Sequence, residues 1–462
     1  MNKLTKKSVP GFKAVRKILN PRRVILLALD WSRDKDTRAP LGFCSILSSL
    51  KAAKRAVVSI IEPVQSVDID AMCSLICSHV HEDRDTDLAI GVYCWNDQVV
   101  RQLLRQVRIH GFKGRIILGG PQISFMESGF KAVYPDADVF ICGDGEEALE
   151  RVTQSFEIIA FPGVHYGDMP GATVQARSDL FNLPSPWLHH DWHKVPLSNI
   201  RWETMRGCPY SCNFCQHRKK KPGVSYFAHS RLLAEIDLFC ERQINSISVL
   251  DPVFNVNSDW AINILNSFIE RRFKGRISLQ CRAELITDNF LEAARKLNVT
   301  LEFGLQTIHT AEADAINRTN DIRRVDEALF KARRLNIKHE VSVIFGLPNQ
   351  TVQSFLQTVE WCLSRDVPVI KAFPLMLLKG TELAESACRW NMQESATAIP
   401  WVCSSDTFTE HDWHIMNAIS SYLHETEGAH PKSLPIQLTG KKKQTNSDRW
   451  SPHALNPVGR II

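Results

Sequence analysis

The segment Arg206-Gly207-Cys208-Pro209-Tyr210-Ser211-Cys212-Asn213-Phe214-Cys215 places three cysteines on one short stretch at C-x3-C-x2-C spacing. Thiolates so arranged can converge on three irons of a cubane, the way cysteines hold iron–sulfur clusters. The fourth iron then has no ligand from the loop, and an open iron binds a substrate or cofactor directly. A redox pair or a disulfide needs only two of these sulfurs. A Cys3His zinc site borrowing His217 is the competing reading, and three chance cysteines the other. Zinc favours four closed ligands, and His217, two residues past Cys215, is cramped for closing a tetrahedron with it.

A second constellation is made of loops. Pro40-Leu41-Gly42, Trp95-Asn96-Asp97, Gly119-Gly120-Pro121 and Gly143-Asp144-Gly145-Glu146-Glu147 each follow a short apolar run. Glycine at a strand end lets backbone approach a bulky ligand and leaves N–H groups available. Three such loops at one sheet edge point to a single large cofactor across the sheet, with Leu41, Gly42, Asn96, Gly119, Gly120, Gly143 and Gly145 as its candidate contacts. Tight turns with no ligand are the plainer alternative.

The elements that must carry these groups follow from periodicity. Arg23–Leu29, Ala56–Ile61, Leu88–Tyr93, Arg115–Leu118 and Ala137–Ile141 read as strands, and helix-like stretches such as Asp97–His110 separate several of them. Five strands with intervening helices imply a doubly wound parallel sheet, whose ligands lie beyond the carboxyl ends of the strands. Pro162, Pro170, Pro184, Pro186 and Pro196 then punctuate a linker. Strands resume at Ile200–Met205, Ser246–Leu250, Ile277–Cys281, Thr300–Gly304, Glu340–Phe345 and Val367–Phe373, with helices such as Arg231–Arg242, Asp259–Arg272, Asn289–Leu297 and Val325–Leu335 between them. Six βα units make a partial TIM-like barrel, which places chemistry at its C-terminal mouth. The expected fold is therefore α/β: a doubly wound sheet over 21–160, a linker over 161–197, a (βα)6 barrel over 198–375, and a small helical C-terminal module over 376–425. A basic tail (1–20) and a flexible polar tail (426–462) flank them.

Composition bounds the rest. With 462 residues, 44% hydrophobic and 23% charged, the chain reads as soluble and multi-domain. Its longest apolar runs are far short of a membrane span, and Met1 to Lys17 lacks a secretory pattern, so a cytoplasmic address and no membrane partner are expected. Thirteen cysteines, an odd number, suit metal better than disulfides in a large intracellular chain. The net charge of +6 sits largely in the two ends and reads as solvated tails rather than a nucleic-acid surface. Cys142, Cys240, Cys281, Cys362, Cys388 and Cys403 read as core cysteines before metal ligands, with Cys388 and Cys403, beyond the barrel, as the alternative candidates to line the site. His189, His190, His193, His411 and His414 carry no readable ligand pattern.

The cysteine loop, with Phe214 immediately before its last cysteine, resembles the signature of the radical SAM superfamily, and the partial barrel is similar to that superfamily's core. The resemblance implies a [4Fe–4S] cluster on Cys208, Cys212 and Cys215. Its open iron would chelate S-adenosylmethionine (SAM), and one electron would break the sulfonium bond to give a 5′-deoxyadenosyl radical. It also implies that Leu250-Asp251-Pro252, Arg282-Ala283-Glu284, Gly304-Leu305-Gln306, Ile316-Asn317-Arg318 and Phe345-Gly346 line the SAM site. Phe214, Phe345 and Gly346 would flank adenine, Asp251 would meet the methionyl amino group, and Arg282, Glu284 and Gln306 would hold the remaining polar groups. The first domain resembles the cobalamin-binding domain that precedes many radical SAM cores, through Leu118–Gln122 and Cys142–Leu149. It departs from methionine-synthase-type domains in lacking a histidine between Asp30 and Gly42.

The family resemblance implies a cobalamin-dependent methyl transfer or other C–H functionalisation on a small-molecule or peptide substrate. A low-potential donor such as a flavodoxin or ferredoxin would feed it. No catalytic side chain is assigned. A radical SAM enzyme without cobalamin, and a non-catalytic Fe–S electron carrier or redox sensor, are the alternatives. A methylthiotransferase is disfavoured, because Cys44, Cys73, Cys77 and Cys94 lack a cluster-loop context.

Overall fold

The computed structural model describes residues 22–31, 39–80, 85–167, 169, 174–188, 198–217 and 223–438. Outside them lie the basic tail, residues 32–38 of the first strand-end loop, His189, His190, His193 and the tail beyond residue 438.

The first sheet comprises β1 (Arg23–Asp30), β2 (Val57–Pro63), β3 (Thr86–Gly91), β4 (Ile116–Gly119), β5 (Val139–Ile141) and β6 (Val164–Tyr166), in the order β2-β1-β3-β4-β5-β6. The first five are parallel, joined through α1 (Leu41–Ala52), α2 (Ile69–Ser78), α3 (Asp97–Ile109), the short α4 (Pro121–Ser124) and α5 (Phe130–Val133). α6 (Gly145–Val152) follows β5. α2 and α3 pack on one face through Met72, Ile76, Val100 and Leu104. α1 and α6 cover the other through Leu47, Leu50, Ala148 and Leu149. The sheet is thus doubly wound, and the reversal of strand order falls between β1 and β3, where such sheets open a ligand crevice. One element departs from expectation: β6 lies in the stretch read as linker and pairs antiparallel with β5. It closes the sheet edge with three residues.

The second sheet is six parallel strands in sequential order: β7 (Asn199–Trp202), β10 (Ser246–Val249), β11 (Arg276–Cys281), β12 (Asn298–Gln306), β13 (Lys338–Phe345) and β14 (Ile370–Pro374). Between β7 and β10 a small pair, β8 (Met205–Arg206) and β9 (Ser225–Tyr226), brackets the cysteine loop and precedes α7 (His229–Glu241). The remaining crossovers use α8 (Ser258–Glu270), α9 (Asp288–Ala294), α10 (Thr310–Ala315), α11 (Ile322–Arg334) and α12 (Val352–Leu363).

The helix-facing residues are apolar apart from His339 of β13, which is buried beside Phe303. On β12 they are Val299, Leu301, Phe303 and Leu305, each at most 2% exposed. On β7 Trp202 meets Phe239 of α7 and Phe268 of α8 edge-on. At roughly 2 kcal/mol for each large side chain withdrawn from water, this layer is the barrel's main stabilising term.

After β14 come α13 (Glu382–Glu385), the pair β15 (Gln393–Glu394) and β16 (Val402–Ser404), and α14 (Glu410–Glu425). Thr409 and Asp412 close a capping box at the start of α14. Trp413 then lies flat on Trp401, with ring centroids 5.3 Å apart.

Candidate active site

The cysteine loop leaves the barrel at the end of β7 and is fixed on every side. Gly207 has φ +99°, and a Cβ there would stand 2.3 Å from the Gly223 carbonyl oxygen, so only glycine brings the chain around into Cys208. Further on, the Asn213 N–H donates to the Ile316 carbonyl at 3.1 Å, and its side-chain amide to Ala315 at 2.8 Å. Asn317 reaches back to the Ser211 carbonyl at 2.9 Å. From the C-terminal module, the Leu383 N–H donates to the Asn213 carbonyl at 3.0 Å.

All thirteen cysteines are free thiols. Burial pushes the Cys215 thiol up to about 11, and the neighbouring Cys212 and Cys208 add to this. Burial raises Cys208 as well, with Cys212 again contributing. The three sulfurs therefore share one neighbourhood. Among the described residues no three His, Cys, Asp or Glu side chains are gathered as a single-ion site.

Beneath the loop lies an unusual cation. Arg318 is 9% exposed, its Nη1 donates to Cys212 Sγ at 3.8 Å, its Nη2 to the Gly304 carbonyl and its Nε to Asn320 at 3.1 Å. Among the described residues it has no carboxylate within ion-pair distance. Burial, and then Arg282, lower its pKa. A buried cation aimed at a thiol fits a site that gains negative charge when filled.

The residues expected to hold SAM divide. Gln306 has φ +71° at the irregular end of β12, which folds its amide back over Gly304. Among the described residues that amide makes no hydrogen bond. Phe214 is half-buried beside the core. Arg282 is partly committed: it bonds Glu284 at 3.0 Å and the Thr319 carbonyl, and its guanidinium lies 4.1 Å above the Tyr210 ring, tying β11 to the cysteine loop. Glu284 is its partner.

Three of the residues expected at the SAM site are engaged within the protein. Asp251 is fully buried and its carboxylate is consumed by the protein, accepting from the Thr204 N–H at 2.8 Å, the Thr204 hydroxyl at 2.5 Å and the Met205 N–H at 3.2 Å. It therefore holds the root of the cysteine loop. Burial pushes it up to about 7 against the lowering effect of those bonds. Phe345 has no exposed surface and packs on Phe355 and Trp413, because it shares the helix-facing parity of Val341 and Val343. Gly346 gives its N–H to Gln350 at 2.7 Å and lies under Val402 and Phe408.

On the first sheet, Tyr93 spans the β1/β3 crevice, its ring against Gly91, its hydroxyl against Gly42 and its face stacked on Trp95 at 4.5 Å. Leu41 is buried in the first turn of α1, and Gly145 opens α6 against Ile46. Gly119 has no close neighbour that excludes a side chain, while Gly120 lies against the Val92 backbone. Two further candidates are engaged within the protein. Asn96 is 1% exposed and staples its own loop, donating to the Leu29 and Gly91 carbonyls and accepting from the Tyr93 N–H. Gly143 gives its N–H to Ser124 at 2.9 Å, and a Cβ on it would strike the Ala176 backbone at 2.3 Å. Two other polar atoms at these strand ends, Trp95 Nε1 and Gln122 Oε1, are buried without a partner among the described residues.

Sequence reasoning assigned no role to the residues that join the two sheets. Arg206, one residue before Gly207, bonds Glu146 of α6 at 2.6 Å and Glu203 at 2.7 Å, with Asp144 at 3.7 Å. Arg201 of β7 bonds Asp30 at the end of β1 at 3.1 Å. Adjacency to the cysteine loop was the one signal that singled out Arg206.

The radical SAM superfamily model matches residues 202–362, which contain the cysteine loop and β10 to β13. The barrel is a radical SAM domain. The chain that carries it is 25% identical over 299 residues to the cobalamin-dependent radical SAM methyltransferase TokK of Streptomyces tokunonensis, covering 58% of this chain and 43% of that protein. It is 29% identical over 191 residues to the 2-(S-pantetheinyl)-carbapenam-3-carboxylate methyltransferase of Streptantibioticus cattleyicolor, covering 37% and 28%. The chain thus spans less than half the length of these two relatives. In fold it resembles the radical SAM methyltransferase TsrM of Kitasatospora setae, solved with cobalamin and a [4Fe–4S] cluster, at TM-score 0.66 and 16% identity over 82% of this chain and 78% of that one. It also resembles the cobalamin-dependent radical SAM enzyme OxsB, at TM-score 0.68 and 14% identity over 88% and 67%. Both likenesses run through the first sheet and the radical SAM domain together.

Proposed function

We propose that this protein is a radical SAM enzyme that holds a [4Fe–4S] cluster on Cys208, Cys212 and Cys215 and works with cobalamin on its first domain. Its outcome would be methyl transfer or another C–H functionalisation of a small-molecule or peptide substrate. The observation that carries the reading is the pairing of a three-thiol loop at the barrel mouth with a buried, carboxylate-free arginine on its middle cysteine. When bound, the cluster and SAM supply one-electron cleavage of the sulfonium, and cobalamin supplies a methyl carrier.

The chain's own residues do the positioning. Asp251 fixes the root of the loop, Arg282 clamps Tyr210, and Gln306 offers an amide above Gly304. Arg206 and Glu146 hold the loop against α6, so that the two strand-end surfaces keep a fixed relation. Trp95 Nε1 and Gln122 Oε1 offer unsatisfied hydrogen-bonding atoms to a ligand as rich in amides as a corrin. The electron would come from a low-potential donor such as a flavodoxin or ferredoxin. Free thiols throughout, and no helix among the described residues long and apolar enough to cross a membrane, favour a cytoplasmic setting.

One observation favours a second reading, radical SAM chemistry without cobalamin: the Tyr93 ring already spans the β1/β3 crevice. Mass spectrometry of SAM products after anaerobic reconstitution, with and without cobalamin, separates the two. 5′-Deoxyadenosine alone supports the second reading, and S-adenosylhomocysteine that appears only with cobalamin supports the first.

A further inference from the structure

The inner face of the radical SAM barrel has a chemistry of its own. Strand register puts Arg201, Ser248, Ser278 and Thr300 in one row, and Gln280, Glu302 and Glu340 in the next towards the mouth. The opposite face of these strands carries Trp202, Val249, Leu279 and Leu301, sealed under the helices at 2% exposure or less. The polar rows therefore face the lumen. A closed eight-stranded barrel fills this space with branched apolar side chains. Here Thr300, Glu302, Gly304 and Gln306 of β12 all keep partial solvent access. This face of the barrel is polar and partly solvated.

One of its carboxylates has no cation beside it among the described residues. Lys371 pairs with Glu340, and Arg201 with Asp30. Among the described residues Glu302 receives only the Ser278 hydroxyl, and no cation lies within ion-pair distance of it. Glu302 stands two residues, about 7 Å of strand, deeper than Gly304, whose carbonyl accepts from the same Arg318 that touches Cys212. A molecule anchored at Glu302 and extending towards the mouth thus ends beside the cysteine loop. Radical chemistry needs water displaced from this space. Whatever displaces it must also compensate a carboxylate that loses its hydration.

We propose that the lumen is the substrate pocket and that it selects a polar molecule or peptide side chain bearing an ammonium group, seated on Glu302. The inference rests on the barrel mouth being the radical site. An ammonium donates three hydrogen bonds, which Glu302 and the flanking Ser278 and Gln280 accept. A carboxylate-bearing ligand meets repulsion instead.

The test uses the anaerobically reconstituted full chain with SAM and two probes of equal length and opposite charge, cadaverine and glutarate, titrated calorimetrically. Cadaverine is expected to bind at one site and glutarate not to bind. Glu302→Gln should weaken cadaverine about tenfold or more, the effect of removing one member of a desolvated charge pair. Lys371→Met removes a competing cation and should tighten it several-fold. A generally misfolded variant cannot reproduce that opposite sign. Equal binding of both probes, no binding of cadaverine, or indifference to both substitutions overturns the proposal. 5′-Deoxyadenosine from the same wild-type sample is read separately. If it forms while cadaverine fails to bind, only the lumen assignment falls. If neither iron nor deoxyadenosine is found, the radical SAM reading falls with it.

Discussion

Glu146 Oε1 lies 2.6 Å from Arg206 Nη2, and this ion pair joins the first turn of α6 on one sheet to the root of the cysteine loop on the other. Burial would raise the Glu146 carboxyl, but the Arg206 charge, together with hydrogen bonds from Arg206 and Ser45, outweighs it and holds the group down at about 2. The same carboxylate accepts from Ser178 at 3.1 Å, so the chain between the sheets is tied into the same knot.

The pair should carry a pH signature. A carboxyl depressed from 4.5 to about 2 contributes stability that is full above its unfolded pKa and is lost as pH falls through 4.5 towards 2. Wild type should exceed Glu146→Gln by about 3 kcal/mol at pH 6, with the gap closing below pH 4 in denaturant titrations. Arg206→Met strands Glu146 and Glu203 together and should cost more, about 4 kcal/mol.

Asp251 should behave in the opposite sense. Its pKa is raised from 3.8 to about 7, so its favourable contribution is full below pH 3.8 and declines as pH rises to 7. Asp251→Asn, which does not titrate, should gain on wild type between pH 4 and pH 8 by up to about 4 kcal/mol. Asp251→Ala leaves the Thr204 and Met205 N–H groups unsatisfied, and should lose roughly 3 kcal/mol together with most iron uptake at every pH.

Gly207→Ala should abolish cluster assembly, because the added carbon meets backbone at 2.3 Å in addition to the strain of φ +99°. Gly111 has φ +91° with open space around it. Gly111→Ala should therefore cost only the backbone term, about 1–2 kcal/mol, and leave iron content unchanged. Iron assays and thermal unfolding of both variants separate the steric contribution from the conformational one.

Arg318→Met should make the cluster harder to reduce, because a cation beside Cys212 favours the more negative reduced state. A shift of about −60 mV or more is expected in an EPR-monitored redox titration, equivalent to about 1.4 kcal/mol for one electron. An unchanged potential would show that the guanidinium only packs the loop.

Much of this architecture was legible because apolar runs with β-branched residues bounded by turn residues are local signals, and β1, β4 and β11 appear within one or two residues of where the sequence put them. β6 was not, because Val-His-Tyr between prolines has no period to read. The bonds of Asp251 are not legible in the sequence, since its backbone partners are 46 and 47 residues away. The burial of Phe345 follows from strand parity: Val341, Val343 and Phe345 share one face, and Ser342 and Ile344 the other. The same parity separates Glu302, Gly304 and Gln306 from Leu301, Phe303 and Leu305, so the polar lumen was readable in β12. The glycines misled because close approach serves packing as well as ligands, as Gly143 against Ala176 shows.

The most direct measurement is formation of 5′-deoxyadenosine from SAM by the anaerobically reconstituted, chemically reduced chain, compared with Cys208→Ala, Cys212→Ala and Cys215→Ala. The account expects four irons per wild-type chain and 5′-deoxyadenosine as a product, with each substitution eliminating the product. Zinc in place of iron, or deoxyadenosine that persists without these thiols, would contradict it.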